Sequence, residues 1–205
     1  EACSAFLLKK GSSQWMGKSY DWHNGDGLLI INKRNLKKKA MLGYGRYRPA
    51  RWISKYGSVT FNQYGRENPL GGINEKGLAI EILWLPQTRH RRPVVRVPTV
   101  NELQWTQYHL DTSATLSEMI TRTKKIQIAR IYARVHYFAC DASGACATFE
   151  WLNGKSKIHH GKRLPIPALT NHTYRRSMRY FREHKGFATS VPMPKSNGSL
   201  SRFFR

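Results

Sequence analysis

The chain has 205 residues, 40% hydrophobic and 12% aromatic. That is enough for one domain with a sizeable core, and it excludes a disordered polyelectrolyte. Its 35 Lys and Arg against 12 Asp and Glu leave a net charge of +23. Such a surplus attracts polyanions but says nothing of fold. The basic clusters at Lys37–Lys39, Arg89–Arg92 and Arg175–Arg176 come without a helix-turn-helix, zinc-finger or RNA-recognition signature, so no specific nucleic acid is expected as partner. No stretch reaches the ~18 consecutive apolar residues of a membrane helix, so no membrane partner is expected either.

In chain order, Ser4 to Leu8 is a short apolar run. Gly11-Ser12-Ser13 reads as a turn and Gln14 to Trp22 as a second strand, which makes a hairpin at the start of the chain. Leu28 to Asn32 is a compact strand, and Lys33 to Lys39 reads as a basic exposed turn. Ser58 to Tyr64 alternates like a strand. Asn68 to Gly72 has turn chemistry, and Gly77 to Leu85 is a strand closed by Pro86. Gln87 to Pro98 reads as a polar, basic loop. The spacing of Leu103, Trp105, Tyr108 and Leu110 predicts a helix over 101–110. Thr115-Leu116-Ser117-Glu118 has the capping-box spacing of a second helix. Val135 to Cys140 and Cys146 to Leu152 form a hairpin, and Asn153-Gly154 turns the chain into a further strand. Tyr174 to His184 is an Arg-rich helix. Residues from Thr189 onward are rich in Pro, Ser, Gly and Asn. Strands, then helices, then strands predict an α+β fold in one domain over 1–205.

Three cysteines is an odd count, so at least one is free or bridges chains. Cys140 and Cys146 flank the Asp141-Ala142-Ser143-Gly144 turn. They are either a cross-strand disulfide in an oxidising compartment or two small buried thiols. Both alternatives leave Cys3 unpaired. His159-His160 is a poor metal pair, because adjacent strand residues point to opposite faces. Glu1-Ala2-Cys3 fits a signal-peptidase site with Cys3 starting the mature chain, which predicts a periplasmic or secreted protein.

Several segments in order carry a resemblance. Cys3-Ser4 is followed by Gly17-Lys18-Ser19-Tyr20-Asp21-Trp22. Next come Ser54-Lys55-Tyr56-Gly57-Ser58-Val59, Gly72-Ile73-Asn74-Glu75-Lys76-Gly77-Leu78-Ala79 and Leu83-Trp84-Leu85. Asp141-Ala142-Ser143-Gly144 with Glu150 and Gly154, Leu169-Thr170-Asn171 and Ser201-Arg202-Phe203 complete the set. Each alone is weak; together they span nearly the whole chain. In this order the chain resembles the choloylglycine hydrolase family, which includes bile salt hydrolases and penicillin V acylases, and its Gram-negative members most.

The resemblance implies the four-layer αββα fold of the N-terminal-nucleophile hydrolases. It implies hydrolysis of a linear N-acyl amide by the thiolate of Cys3, through a thioester and without metal or organic cofactor. Candidate substrates are penicillin V, N-acyl homoserine lactones and conjugated bile acids. A thiol needs a base at neutral pH, and an α-amine of pKa about 7.7–8.0 supplies one, provided Glu1-Ala2 are removed. Asp21 is expected to hold that amine. Lys18, at a position the family usually fills with Arg, is expected to favour the thiolate without Arg's bidentate fork. Asn171 is expected in the oxyanion hole with a backbone N–H near Trp84. Arg202 is expected to assist at the active centre, Trp22 and Trp84 to line an acyl pocket, and Asn74 to be structural. The family forms tetramers, so a homo-oligomer is expected. Family members run on beyond Ser-Arg-Phe, so a C-terminally truncated version of the fold is expected. The +23 charge, Lys18 and the shorter chain also fit a second function, an inactive relative that binds a polyanion.

Overall fold

The computed structural model describes residues 3–43, 45 and 47–183. Its strands run β1 (Ser4–Lys10), β2 (Ser13–Ser19), β3 (Leu28–Asn32), β4 (Lys37–Lys39), β5 (Arg48–Pro49), β6 (Arg51–Ile53), β7 (Ser58–Asn62), β8 (Pro69–Asn74), β9 (Ala79–Trp84) and β10 (Pro98–Val100). Helices α1 (Glu102–Thr112) and α2 (Leu116–Thr123) follow. Then come β11 (Gln127–Ile128), β12 (Val135–Cys140), β13 (Cys146–Leu152), β14 (Lys155–His160), β15 (Ala168–Thr170) and α3 (Tyr174–Glu183).

Two sheets dominate. One has seven strands in the order β14-β13-β12-β9-β8-β7-β3, every pair antiparallel. The other has three, β15-β1-β2. Alternation along the strands sorts side chains between the faces of the large sheet. Ile80, Ile82, Tyr137, Ala139, Ala147 and Phe149 share a core with Leu103, Trp105 and Leu110 of α1. Leu83, Phe138, Cys140 and Cys146 face the other way and pack with Cys3, Ala5 and Leu7 at the start of the chain. Helices, large sheet and small sheet therefore stack in that order. Cys140 and Cys146 are register partners at the end of their hairpin and are joined by a disulfide, which leaves Cys3 as the free cysteine.

The caps follow the expected chemistry. Asn101 Oδ1 accepts from Gln104 N at 2.7 Å to open α1. Thr115 Oγ1 accepts from Glu118 N at 3.2 Å to open α2, and Glu118 Oε2 reaches back to Ala114 N at 2.9 Å. Asn74 is structural as expected. Its Nδ2 donates to Leu110 O and Ser113 O, both at 2.8 Å, and its Oδ1 accepts from Lys76 N and Leu78 N. One side chain thus ties the β8–β9 turn to the end of α1.

Three elements differ from the sequence reading. Asn68 to Gly72 is not a turn: β8 runs through it in the middle of the large sheet. Its glycines answer to close approach, since a Cβ on Gly71 would collide with the Glu81 carboxylate and one on Gly72 would lie 2.5 Å from the Val59 carbonyl oxygen. The basic Lys33 to Lys39 segment is not all exposed turn either. Lys37–Lys39 pairs with β6, and Lys38 turns inward to Asp111 Oδ2 at 3.1 Å and Glu67 Oε2 at 3.0 Å. The second strand ends at Ser19, short of Trp22.

His109 on α1 is fully buried between Ser113 Oγ and Thr123 Oγ1. Burial, with the nearby Arg122 charge, lowers its pKa to about 3. The unfolded chain takes up this proton near the ordinary value of 6.5. The stabilisation is therefore complete above that pH and is lost as pH falls toward the folded value. Urea unfolding should show His109 alone costing about 2 kcal/mol between pH 6.5 and 5. His109→Gln should unfold with a correspondingly flatter pH dependence over the same interval.

Candidate active site

The register of the small sheet positions the start of the chain. Ser4 lies opposite Thr170 on β15 and Ser19 on β2. Cys3, one residue earlier, therefore falls between Asn171 and Tyr20. It is 6% exposed. Its backbone N–H donates to Asn171 Oδ1 at 2.5 Å, and Asn171 Nδ2 donates to the Trp84 carbonyl at 2.8 Å. One amide thus spans the nitrogen of Cys3 and the end of β9. An amide nitrogen carries two hydrogens, so the second remains for another acceptor.

Trp84 ends β9 and is 43% exposed. The ring of Trp22 meets it edge-on, centroids 6.0 Å apart, and also lies against His23 at 4.7 Å. The structure therefore brings Cys3, Asn171, Trp84 and Trp22 together. Asp21 is an exposed residue of the loop just after β2. Arg202 lies outside the described residues.

Lys18 stands opposite Ala5 on the inner side of β2. Its ammonium is 3.0 Å from Glu81 Oε2 and donates to the Leu70 carbonyl at 3.0 Å, with the Tyr20 ring 5.2 Å away. Burial raises the pKa of Glu81, and Lys18 opposes that rise by charge and hydrogen bond. Much of the Lys18 charge is thus answered locally. The pair lies in a cavity of about 580 Å³ whose apolar walls include Leu28, Leu29, Phe61 and Leu70. The sequence reading did not identify Glu81. It is a lone acid among apolar strand residues, on β9 of the sheet that faces Lys18, and only the packing of the two sheets shows the pairing.

A second polar group supports Asn171 from behind. Glu150 on β13 is 1% exposed. Its Oε1 accepts from Tyr174 N at 2.7 Å and lies 3.3 Å from His136 Nδ1. Tyr174 opens α3, three residues after Asn171, and its hydroxyl donates to Ile166 O at 3.0 Å and accepts from Ile166 N at 3.2 Å. The segment carrying Asn171 is therefore pinned on both flanks. His159 Nδ1 lies 3.1 Å from Thr148 Oγ1, and His160 Nε2 lies 3.2 Å from Arg163. The adjacent histidines thus have separate partners, and among the described residues no three His, Cys, Asp or Glu side chains are grouped to hold a metal ion.

The family of linear amide C–N hydrolases known as the choloylglycine hydrolases matches residues 3–202. Penicillin V acylase of Pectobacterium atrosepticum is 30% identical, over 92% of this chain and 53% of its own. The structure of penicillin V acylase from Agrobacterium tumefaciens matches with a TM-score of 0.80 at 28% identity, over 96% of this chain and 61% of that one. Conjugated bile acid hydrolase from Clostridium perfringens matches in fold, with a TM-score of 0.76 at 16% identity, over 97% of this chain and 63% of that one. The chain spans about half the length of the Pectobacterium acylase and under two thirds of both solved chains. By these matches, and with Cys3 at the head of β1, the chain belongs to the choloylglycine hydrolase family and has the α+β fold of its N-terminal-nucleophile hydrolases.

Proposed function

We propose that this chain forms the nucleophile-bearing part of an acylase that hydrolyses a linear N-acyl amide through Cys3. The observation that carries the reading is the bridge from Cys3 N through the Asn171 amide to the Trp84 carbonyl. With Glu1-Ala2 removed, the Cys3 nitrogen becomes a free amine held by Asn171 Oδ1. That amine takes the thiol proton, and the thiolate attacks the amide carbon. Negative charge builds on the carbonyl oxygen, where the second Asn171 N–H and a backbone N–H near Trp84 receive it. As the C–N bond breaks, the ammonium of Cys3 gives its proton to the leaving amine. Water, deprotonated by the same amine, then releases the acid from the thioester.

The cavity beside β2 supports an aromatic or fatty acyl group, since its walls at Leu28, Leu29, Phe61 and Leu70 are apolar. Phenoxyacetyl amides of the penicillin V kind, N-acyl homoserine lactones and conjugated bile acids all fit that description. Trp22 and Trp84 add flat walls near the reacting carbonyl. In this reading Asp21 and Arg202 assist Cys3, and Lys18 contributes whatever field Glu81 leaves uncompensated. The Cys140–Cys146 disulfide supports a periplasmic or secreted location. Assembly into a homo-oligomer belongs to the same proposal. The +23 charge favours a second reading, non-catalytic polyanion binding, whose signature is an affinity for nucleic acid that falls steeply with salt.

Intact mass spectrometry with a phenoxyacetyl or long-chain acyl amide tests the chemistry. The expected mass begins at Cys3 and carries a transient acyl adduct that Cys3→Ala abolishes. A mass that retains Glu1-Ala2 and acquires no adduct sinks the proposal. Asn171→Ala should slow adduct formation by about 10²–10³-fold with little change in fold. Lys18→Met should destabilise the protein by about 2–3 kcal/mol in urea, because it strands Glu81 in a largely buried site. Lys18→Met combined with Glu81→Leu should recover most of that loss, and an equal loss in single and double variants would show that the pair is not coupled.

A further inference from the structure

The fold makes room for one acid in the wall of the cavity beside β2. Glu81 on β9 is the register partner of Gly71 on β8. A Cβ on Gly71 would collide with the Glu81 carboxylate, so the acid leans across the bare Cα of β8. Lys18 meets it from the facing sheet, with Nζ 3.0 Å from Glu81 Oε2 and 3.0 Å from the Leu70 carbonyl oxygen. Both side chains line the cavity, and they keep 13% and 14% exposure. The pair is therefore neither sealed in the core nor solvated on the surface.

Three other polar walls are already matched. The Tyr20 hydroxyl donates to Gln63 Oε1 at 2.6 Å, and Gln63 Nε2 donates to Asn24 O at 2.7 Å and Asp26 O at 3.1 Å. Asn62 Oδ1 accepts from Thr60 Oγ1 at 2.7 Å, and its Nδ2 donates to Gly65 O at 3.0 Å. Lys18 and Glu81 differ. An ammonium has three hydrogens, and the contacts to Glu81 and Leu70 O use two. A carboxylate has about four lone-pair sites, and the contact to Lys18 fills one. These contacts leave a donor and several acceptor sites side by side. The space of about 580 Å³ next to them has apolar walls at Met16, Leu28, Leu29, Phe61 and Leu70.

A plain acyl chain filling that space would take water from both groups and supply no hydrogen bond. A buried charged group left short of partners carries its full desolvation cost. A hydroxyl answers both groups at once, since it accepts from the ammonium and donates to the carboxylate. A keto or ether oxygen only accepts. We propose that Lys18 and Glu81 are specificity-determining residues that select an acyl group carrying a hydroxyl. Lys18 lies opposite Ala5, two residues or about 7 Å along β1 from Cys3, so the hydroxyl belongs on the near part of the chain and not at its far end. That the ligand is an acyl amide rests on the acylase reading; the preference for a hydroxyl rests on the pair and the cavity.

The test is binding to the Cys3→Ala chain, read by calorimetry without turnover. The probes are dodecanoyl amides of one leaving amine: plain, hydroxylated at successive carbons from the carbonyl, and the methyl ether of the tightest hydroxylated one. A hydroxylated probe should bind about 10–100-fold more tightly than the plain one, the range for hydrogen bonds to charged groups. The methyl ether, which accepts but cannot donate, should lose most of that gain. Combining Lys18→Met and Glu81→Leu should reverse the order, so that the plain chain binds better. Equal binding of plain and hydroxylated probes, no binding of any probe, or a preference that the double variant keeps overturns the proposal. The comparison of plain, hydroxylated and ether probes decides it even where the double variant does not fold. Selective binding here, together with no acyl adduct on Cys3 in the mass experiment, would overturn the acylase reading and leave this one standing.

Discussion

The placement of β1 is the constraint on which the rest depends. It is hydrogen-bonded on both edges, to β15 over Ser4–Phe6 and to β2 over Ser4–Lys10. Its inward residues Ala5 and Leu7 are packed against Leu83 and Phe138 of the large sheet. A residue at the start of a chain is ordinarily the least ordered of all. Here two ladders and a buried face leave Cys3 little freedom, so its nitrogen meets Asn171 with no long loop to order. In the acylase reading Cys3 needs that arrangement, because its base is its own backbone nitrogen and cannot be positioned separately from the chain.

Burial sets the electrostatics around that point. The inner face of the large sheet carries Glu81 and Glu150, and neither is left alone. Glu81 meets Lys18, and Glu150 meets Tyr174 N and His136. An unpaired charge at either place would cost several kcal/mol, which explains why each comes with a partner from a distant part of the chain. The consequence differs between the two. The Glu150 contacts hold the segment that carries Asn171, so they serve geometry. The Glu81 contact holds the Lys18 ammonium in the cavity wall, so in the acylase reading less of its field reaches Cys3.

Much of this was legible in the sequence where local chemistry decides it. The Val135–Cys140 and Cys146–Leu152 hairpin and the capping residue Thr115 follow from short-range patterns, and the structure has both; the structural role of Asn74 came from the resemblance and is there too. Asn171 and Trp84 were legible through motif resemblance, and the two do meet at Cys3. What failed was whatever a distant segment decides. Asn-Pro-Leu-Gly-Gly has every mark of a turn, yet the crowding of Glu81 and Val59 makes those glycines a requirement of a central strand. Lys38 looks like one of a run of solvated lysines, yet Asp111 on α1 draws it inward. The choice between disulfide and thiols at Cys140 and Cys146 was open for a related reason, since only the strand register shows that the two side chains meet.

The bare half of the large sheet fits the same logic from the other direction. Leu29, Ile31, Phe61 and Ile73 lie in the same cross-strand rows as the buried Phe138 and Cys140 and are as apolar as they are. Nothing in a local pattern distinguishes an apolar face that finds a partner within the chain from one that does not. The difference is in the width of the opposing sheet: among the described residues, three strands face seven.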